Sequence, residues 1–110
     1  MFNAVDKKYF WTNHVRNKMR QYRLTESRIK RVIRHPTRTE EGVLENAVAC
    51  MQPAGGKNYS EVWVMYLLAK SNVKGQMSKV RIITAWRYPG KSPARDPIPA
   101  DVLREIRNLL

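Results

Sequence analysis

The sequence predicts an α+β fold, in which two N-terminal helices pack on an antiparallel sheet of about four strands and a further helix closes the chain. Three observations predict it. Apolar residues recur at helical spacing from Thr12 to about residue 35, the pattern turns extended from Thr37 to Tyr88 with turn residues between the runs, and a last apolar stripe at helical spacing follows Pro99. Helices gathered ahead of a strand meander describe a helical layer on one face of a sheet.

Taken in order, Thr12 is placed as an N-cap, and Val15, Met19 and Tyr22 behind it share one helical stripe, giving a first helix over about residues 12–22. Its other faces carry Arg16 and Arg20 four apart, and His14 and Lys18 four apart, so they are almost wholly cationic. Thr25 is the next cap. Ile29, Val32 and Ile33 form a second stripe flanked by Arg28, Lys30, Arg31 and Arg34, until Pro36 disfavours helical geometry at His35. Thr37 to Glu41 and Val43 to Met51 read as a hairpin about Gly42, and Pro53 to Asn58 as a turn cluster. Ser60 to Leu68 is a strand buried on both faces, and 69–78 a loop. Lys79 to Tyr88 is a further strand with Val80, Ile82, Thr84, Trp86 and Tyr88 on one face and Arg81, Ile83, Ala85 and Arg87 on the other. Pro89 and Gly90 stop it. Lys91 to Pro97 reads as an extended arm over the body. The last helix has Pro99 in its first turn, Asp101 at the positive end of its dipole, and an apolar face of Val102, Leu103, Ile106, Leu109 and Leu110. That face must be buried against the chain's own sheet or against a second copy.

A chain of 110 residues fits one domain, divided here into a core to residue 88, an arm over 89–98 and a helix over 99–110. The single cysteine, Cys50, has no internal disulfide partner, and with only His14 and His35 as imidazoles no zinc-type ligand spacing can be assembled. Neither a metal nor a cofactor is expected. No apolar run approaches the roughly 20 residues of a membrane helix, and the N-terminal residues lack the pattern of a signal peptide. The expected compartment is the cytoplasm, without a membrane partner.

The net charge is +12, and it is unevenly placed. Residues 1–38 hold eleven Lys or Arg against Asp6 and Glu26, and residues 69–110 hold nine against Asp96, Asp101 and Glu105, whereas the middle of the chain is acidic. Cations concentrated in this way repel one another unless they face an anion, which points to a phosphate-rich or acidic partner.

Cleaving RNA requires a base for the ribose 2′-hydroxyl, cations for the charge developing on the phosphate, and an acid for the leaving oxygen, all of which side chains can supply. His14 is the only histidine on the first helix, titrates near neutrality and has Lys18 one turn on; its other reading is a surface or capping histidine. His35, at a helix end before Pro36, reads as a cap. Arg38 and Arg87 lie in or beside strands, where a cation has less reason to be merely solvated, and are candidate phosphate ligands. Thr84 has a hydroxyl able to orient a phosphate or a histidine, against the ordinary role of a β-branched residue in a strand. Trp86 and Tyr88 share its expected face and are candidates for stacking on RNA bases, against the usual role of large aromatics as core. Trp11 and Trp63 read as core. Gly55, Gly56 and Lys57 lack the spacing and the following Ser or Thr of a P-loop, and Cys50 has no activating neighbour.

The run Trp11, Thr12, Asn13, His14 and Val15, followed by Lys18 and Met19, then Tyr22, Leu24 and Thr25, and later Ile82, Ile83, Thr84 and Ala85, resembles a family of small bacterial proteins. In those a helix opens with a His, a Met follows five residues on, a second helix ends at Asn-Pro or a similar pair, and a late strand carries Ser or Thr. The family is similar to the BrnT toxins and, more distantly, to the RelE-like and barnase-like ribonucleases. The resemblance covers roughly residues 10–88. It implies a toxin-type ribonuclease architecture acting on RNA without a metal, with His14 and Thr84 as catalytic residues and Lys18 and Arg87 as phosphate ligands. This chain departs from the pattern at His35-Pro36, in place of the commoner Asn-Pro, and by the arm and helix after Tyr88.

Three functions follow as expectations. The first is a metal-independent endoribonuclease of toxin type. The second is a non-catalytic RNA-binding module using the same cations and aromatics. The third is a basic interaction protein that meets an acidic partner such as an antitoxin, as a monomer or as a homodimer through the last helix. In the enzyme, His14 and Thr84 should share one cleft with an arginine.

Overall fold

Within residues 8–41, 46–69, 79–94 and 98–109, which the computed structural model describes, the chain forms β1 (Tyr9–Trp11), α1 (Asn13–Tyr22), α2 (Glu26–Arg34), β2 (Arg38–Glu41), β3 (Ala47–Ala54), β4 (Ser60–Ala69), β5 (Lys79–Pro89) and α3 (Ala100–Leu109). The strands make one sheet in the order β1-β5-β4-β3-β2. The four strands from β2 to β5 are antiparallel neighbours, as the sequence predicts. A fifth is added by β1, which runs parallel to β5 with Tyr9 opposite Val80 and Trp11 opposite Ile82. Three residues are too few for a period-two pattern to register, so this strand has no signature in the sequence. The turn about Gly42, residues 70–78 of the expected loop, and residues 95–97 of the arm lie outside the described residues.

Helices cover both faces of the sheet, not one as expected. The alternation along β4 shows why: Val62 and Val64 join Val15, Met19, Leu24, Ile29 and Val32 of the α1–α2 layer in one core. Trp63 and Met65, pointing the other way, join Ala49, Met51, Trp86, Ile98, Val102 and Ile106 in a second core under α3. A strand buried on both faces reads as a continuous apolar run, which is what Ser60 to Leu68 is. Of the two placements expected for the last helix, the observed one is against its own sheet. Trp63 and Trp86 stack there at 5.8 Å between ring centroids, an arrangement that contributes about 0.5–1.5 kcal/mol beyond the area it buries.

Thr12 joins α1 to β5. Its hydroxyl accepts from the Val15 N–H at 3.1 Å, the expected N-cap bond, and donates toward the carbonyls of Ile82 at 2.9 Å and Ile83 at 3.1 Å. Ten residues after Thr12, at the end of α1, the Tyr22 carbonyl accepts from Arg87 Nε, so α1 runs alongside β5 beyond the end of β1 and closes that edge of the sheet. The two carbonyls that meet Thr12 flank a β-bulge: Met65 pairs with Thr84 and Tyr66 with Ile82, leaving Ile83 as the extra residue. One extra residue reverses the faces. Val80, Ile82 and Ala85 therefore lie together on the α1–α2 side while Trp86 points under α3, correcting the expectation that Val80 through Tyr88 alternate without interruption.

The arm after β5 is fastened by a buried carboxylate. Glu61 accepts from Tyr59 Oη at 2.8 Å, Trp63 Nε1 at 3.0 Å, and the backbone N–H and hydroxyl of Ser92 at 3.2 and 2.6 Å. Ser92 is itself gripped by Arg38, which donates to its carbonyl at 3.0 Å and its hydroxyl at 2.9 Å.

Candidate nucleic-acid interface

The connection between α1 and α2 ends one helix and begins the next within three residues, and it carries cations at both ends. Arg23 closes α1 in the left-handed region at φ 57°, a conformation in which glycine is the usual residue. Thr25 then caps α2 through the Arg28 N–H at 3.1 Å. One turn of α2 later comes Arg31, on the side facing the end of β3 at Ala54 and Gly55. Arg87 arrives from β5. These residues line one cleft of about 370 Å³: Arg23, Arg28, Arg31 and Arg87, with Leu24, Thr25, Ala54 and Gly55.

Protein acceptors satisfy little of this cleft. Arg28 donates to the Pro53 carbonyl at 3.0 Å and Arg87 Nε to that of Tyr22 at 3.0 Å. The Arg28 Nε is enclosed without a hydrogen-bond partner among the described residues. No carboxylate among the described residues pairs with any of the four guanidinium groups. Burial, followed by the nearby charges of Arg31 and Arg87, pushes the Arg28 side chain below its ordinary range. The group remains protonated near neutrality because an arginine starts so high. The cleft thus concentrates positive potential that the described residues do not neutralise.

A second cleft of about 460 Å³ continues along α2, lined by Ser27, Lys30, Arg31, Arg34 and His35, so that Arg31 belongs to both. Lys30 and Arg34 lie over the Tyr9 ring, at 5.4 and 5.9 Å from its centroid. Gln52 holds the far end of the helix, donating to the Arg31 and His35 carbonyls at 3.2 and 2.8 Å. The helix is therefore a fixed rod with a cationic outer face rather than a mobile charged arm.

Of the residues singled out from the sequence, Arg87 alone lies in the arginine cleft. Arg38 spends its donors on Glu40 at 3.0 Å, Ser92 and the Pro93 carbonyl at 2.5 Å, and lies over Trp63 at 5.0 Å. That is a fastening role in place of the expected phosphate contact. Trp86 and Thr84 are fully buried, so neither can touch a ligand in this conformation, and the base stacking expected of Trp86 is corrected. Tyr88 is half-buried against the core under α3.

His14 and Lys18 face α3. The Lys18 ammonium, almost fully buried, pairs with Glu105 at 2.8 Å, and His14 Nε2 stands 3.6 Å from the same carboxylate. Burial, the largest influence, and the Lys18 charge lower the His14 imidazole from 6.5, against an opposing pull from Glu105. Because α1 runs beside β5 from Ile82 to Arg87, His14 and Thr84 occupy adjoining stretches of the two elements. Their polar atoms, His14 Nε2 and Thr84 Oγ1, are both enclosed and make no hydrogen bond among the described residues, and neither residue lines the arginine cleft. The Cys50 thiol is buried, which pushes it up to about 12.

Sequence reasoning missed Arg23, Arg28 and Arg31 as site residues, because a charge run on a helix ordinarily faces solvent. Two signals were present. An arginine stands at a helix end where glycine is preferred, and the basic segments at the two ends of the chain had to be brought either together or apart. Compared with known proteins, the chain matches no family model, no curated protein and no solved structure. Among the described residues no three His, Cys, Asp or Glu side chains gather as metal ligands, and no helix is long and apolar enough to cross a membrane.

Proposed function

We propose that the protein binds RNA, holding the phosphate backbone along α2 with the arginine cleft as anchor. The gathering of Arg23, Arg28, Arg31 and Arg87 around one cleft, without a carboxylate among the described residues to neutralise them, carries this reading. Like charges brought together from separate elements raise the energy of the folded state, and a phosphate relieves that cost while releasing counterions from the nucleic acid. RNA is the polymer that the resemblance to BrnT-type toxins implies. The test is fluorescence anisotropy of a labelled single-stranded RNA over a range of salt. The logarithm of the binding constant should fall linearly with that of the salt concentration, by about 0.7 for each phosphate neutralised. RNA that stays free at low salt, with an acidic protein bound in its place, would leave the interaction-protein reading in front.

The endoribonuclease reading has one observation in its favour. His14 and Thr84 lie on adjoining stretches with enclosed polar atoms that make no hydrogen bond among the described residues, and Lys18 is beside the histidine. Cleavage through them requires α3 to move away from Glu105's contacts with His14 and Lys18. RNA incubated in EDTA and cut to 2′,3′-cyclic phosphate ends by the wild type but not by His14→Ala would establish it.

A further inference from the structure

The cleft at the start of α2 gathers its cations about one volume rather than stringing them along a track. A backbone-tracking surface distributes its cations along the strand, meeting one singly charged diester at a time. Here four guanidinium groups border a single volume of about 370 Å³, at the small end of ligand pockets and suited to one phosphate with its sugar. Three come from the turn and helix and the fourth from β5, and Ala54 and Gly55 also line the cleft. The second cleft begins at Arg31 and leads away along the helix. A diester offers the arginine cleft one negative charge, whereas a terminal phosphate offers about 1.5 to 2 at neutral pH and three acceptor oxygens. Guanidinium forks pair best with that geometry. The enclosed Arg28 Nε has no hydrogen-bond partner among the described residues, so these residues leave that guanidinium short of acceptors.

We infer that the arginine cleft recognises a phosphate monoester at the end of an RNA strand, with the next phosphates of the strand lying over the Lys30–Arg34 cleft. This rests on the RNA-binding reading and names what that site selects. Three internally labelled single-stranded RNAs of one sequence distinguish the possibilities: one with a 5′-phosphate, one with a 3′-phosphate, and one with hydroxyls at both ends. One phosphorylated end is expected to bind about tenfold tighter than the hydroxyl strand. The advantage should grow as pH rises through about 6, where the monoester takes its second charge. It should vanish in the Arg28→Gln/Arg87→Gln double variant, whose folding is checked by circular dichroism. Equal binding of all three strands would overturn the inference and leave the RNA-binding reading standing. Failure of all three to bind would overturn both.

Discussion

Arg38 and Arg28 carry the same cation into two regions that use it in opposite ways. Around Glu61 and Ser92, Arg38 meets two carbonyls, a hydroxyl and a carboxylate, and the carboxylate of Glu61 accepts four hydrogen bonds in return. Around the α1–α2 turn, four guanidinium groups share two protein carbonyls. Exposure does not separate these two arginines, since Arg28 and Arg38 are both half-buried. Acceptor supply does. A cation with matched acceptors fastens the fold, and a surplus of donors marks a surface that receives an anion from outside.

Removing the acceptor from the satisfied region should have the largest effect. Glu61→Ala leaves the buried donors of Trp63 and Ser92 without a partner and returns the exposed Tyr59 hydroxyl to solvent, a loss of about 3–5 kcal/mol in urea denaturation. RNA affinity per folded molecule should be unchanged. The pH dependence has a definite sign. Burial raises the Glu61 carboxyl, but the hydrogen bonds from Ser92, Trp63 and Tyr59 outweigh it and hold the group below its ordinary 4.5. Its stabilisation is therefore present above 4.5 and is lost as pH falls through the lower folded value, a limb absent from Glu61→Gln. An acid limb of equal size in Glu61→Gln would remove the clasp from the account.

The unsatisfied region should respond chiefly in binding. Arg28→Gln/Arg87→Gln should reduce the salt slope for single-stranded RNA by about 0.7 for each phosphate no longer held, and weaken binding to every sequence alike. Arg38→Gln should do the reverse, lowering stability while keeping the slope. If the slope stays the same when the cleft arginines are removed, the strand lies elsewhere on the surface.

How much of this was legible in the sequence follows from the range of the interactions involved. Thr12 and Thr25 place both helix starts because capping is local, and β4 announces burial on both faces by its composition. The parallel partner of β5 and the bulge at Ile83 depend on a hydroxyl seventy residues from the carbonyl it meets, which no local pattern encodes. The same holds for the sites. Lys18 looks like a surface cation until Glu105 of α3 is placed beside it, and Arg28 looks like one until Arg87 arrives.

His14 gives a smaller, separately timed effect, since it shares a carboxylate with Lys18 but is not fully enclosed as Glu61 is. Its depressed imidazole means that the folded state resists protonation, chiefly through burial. Stability should be complete above 6.5 and decline as pH falls through the lower folded value, ahead of the Glu61 limb, with the first decline missing in His14→Gln. An unchanged profile in that variant would detach the histidine from the α3 contact.

The smallest effect has the sign most particular to this comparison. Arg31 sits three residues after Arg28 on one face of α2, borders both clefts and makes no side-chain hydrogen bond or ion pair among the described residues, while its charge pushes down on that of Arg28. Like charges at this spacing cost a helix roughly 0.2–0.5 kcal/mol. Arg31→Gln keeps a good helix former and removes that repulsion, so it should stabilise the free protein by a few tenths of a kcal/mol while weakening RNA binding. The gain should shrink as salt screens the pair, which melting curves at low and high ionic strength would show. A variant that is less stable than the wild type would mean that Arg31 serves the fold, and the surplus of donors that distinguishes this cleft from the Glu61 clasp would be one arginine smaller.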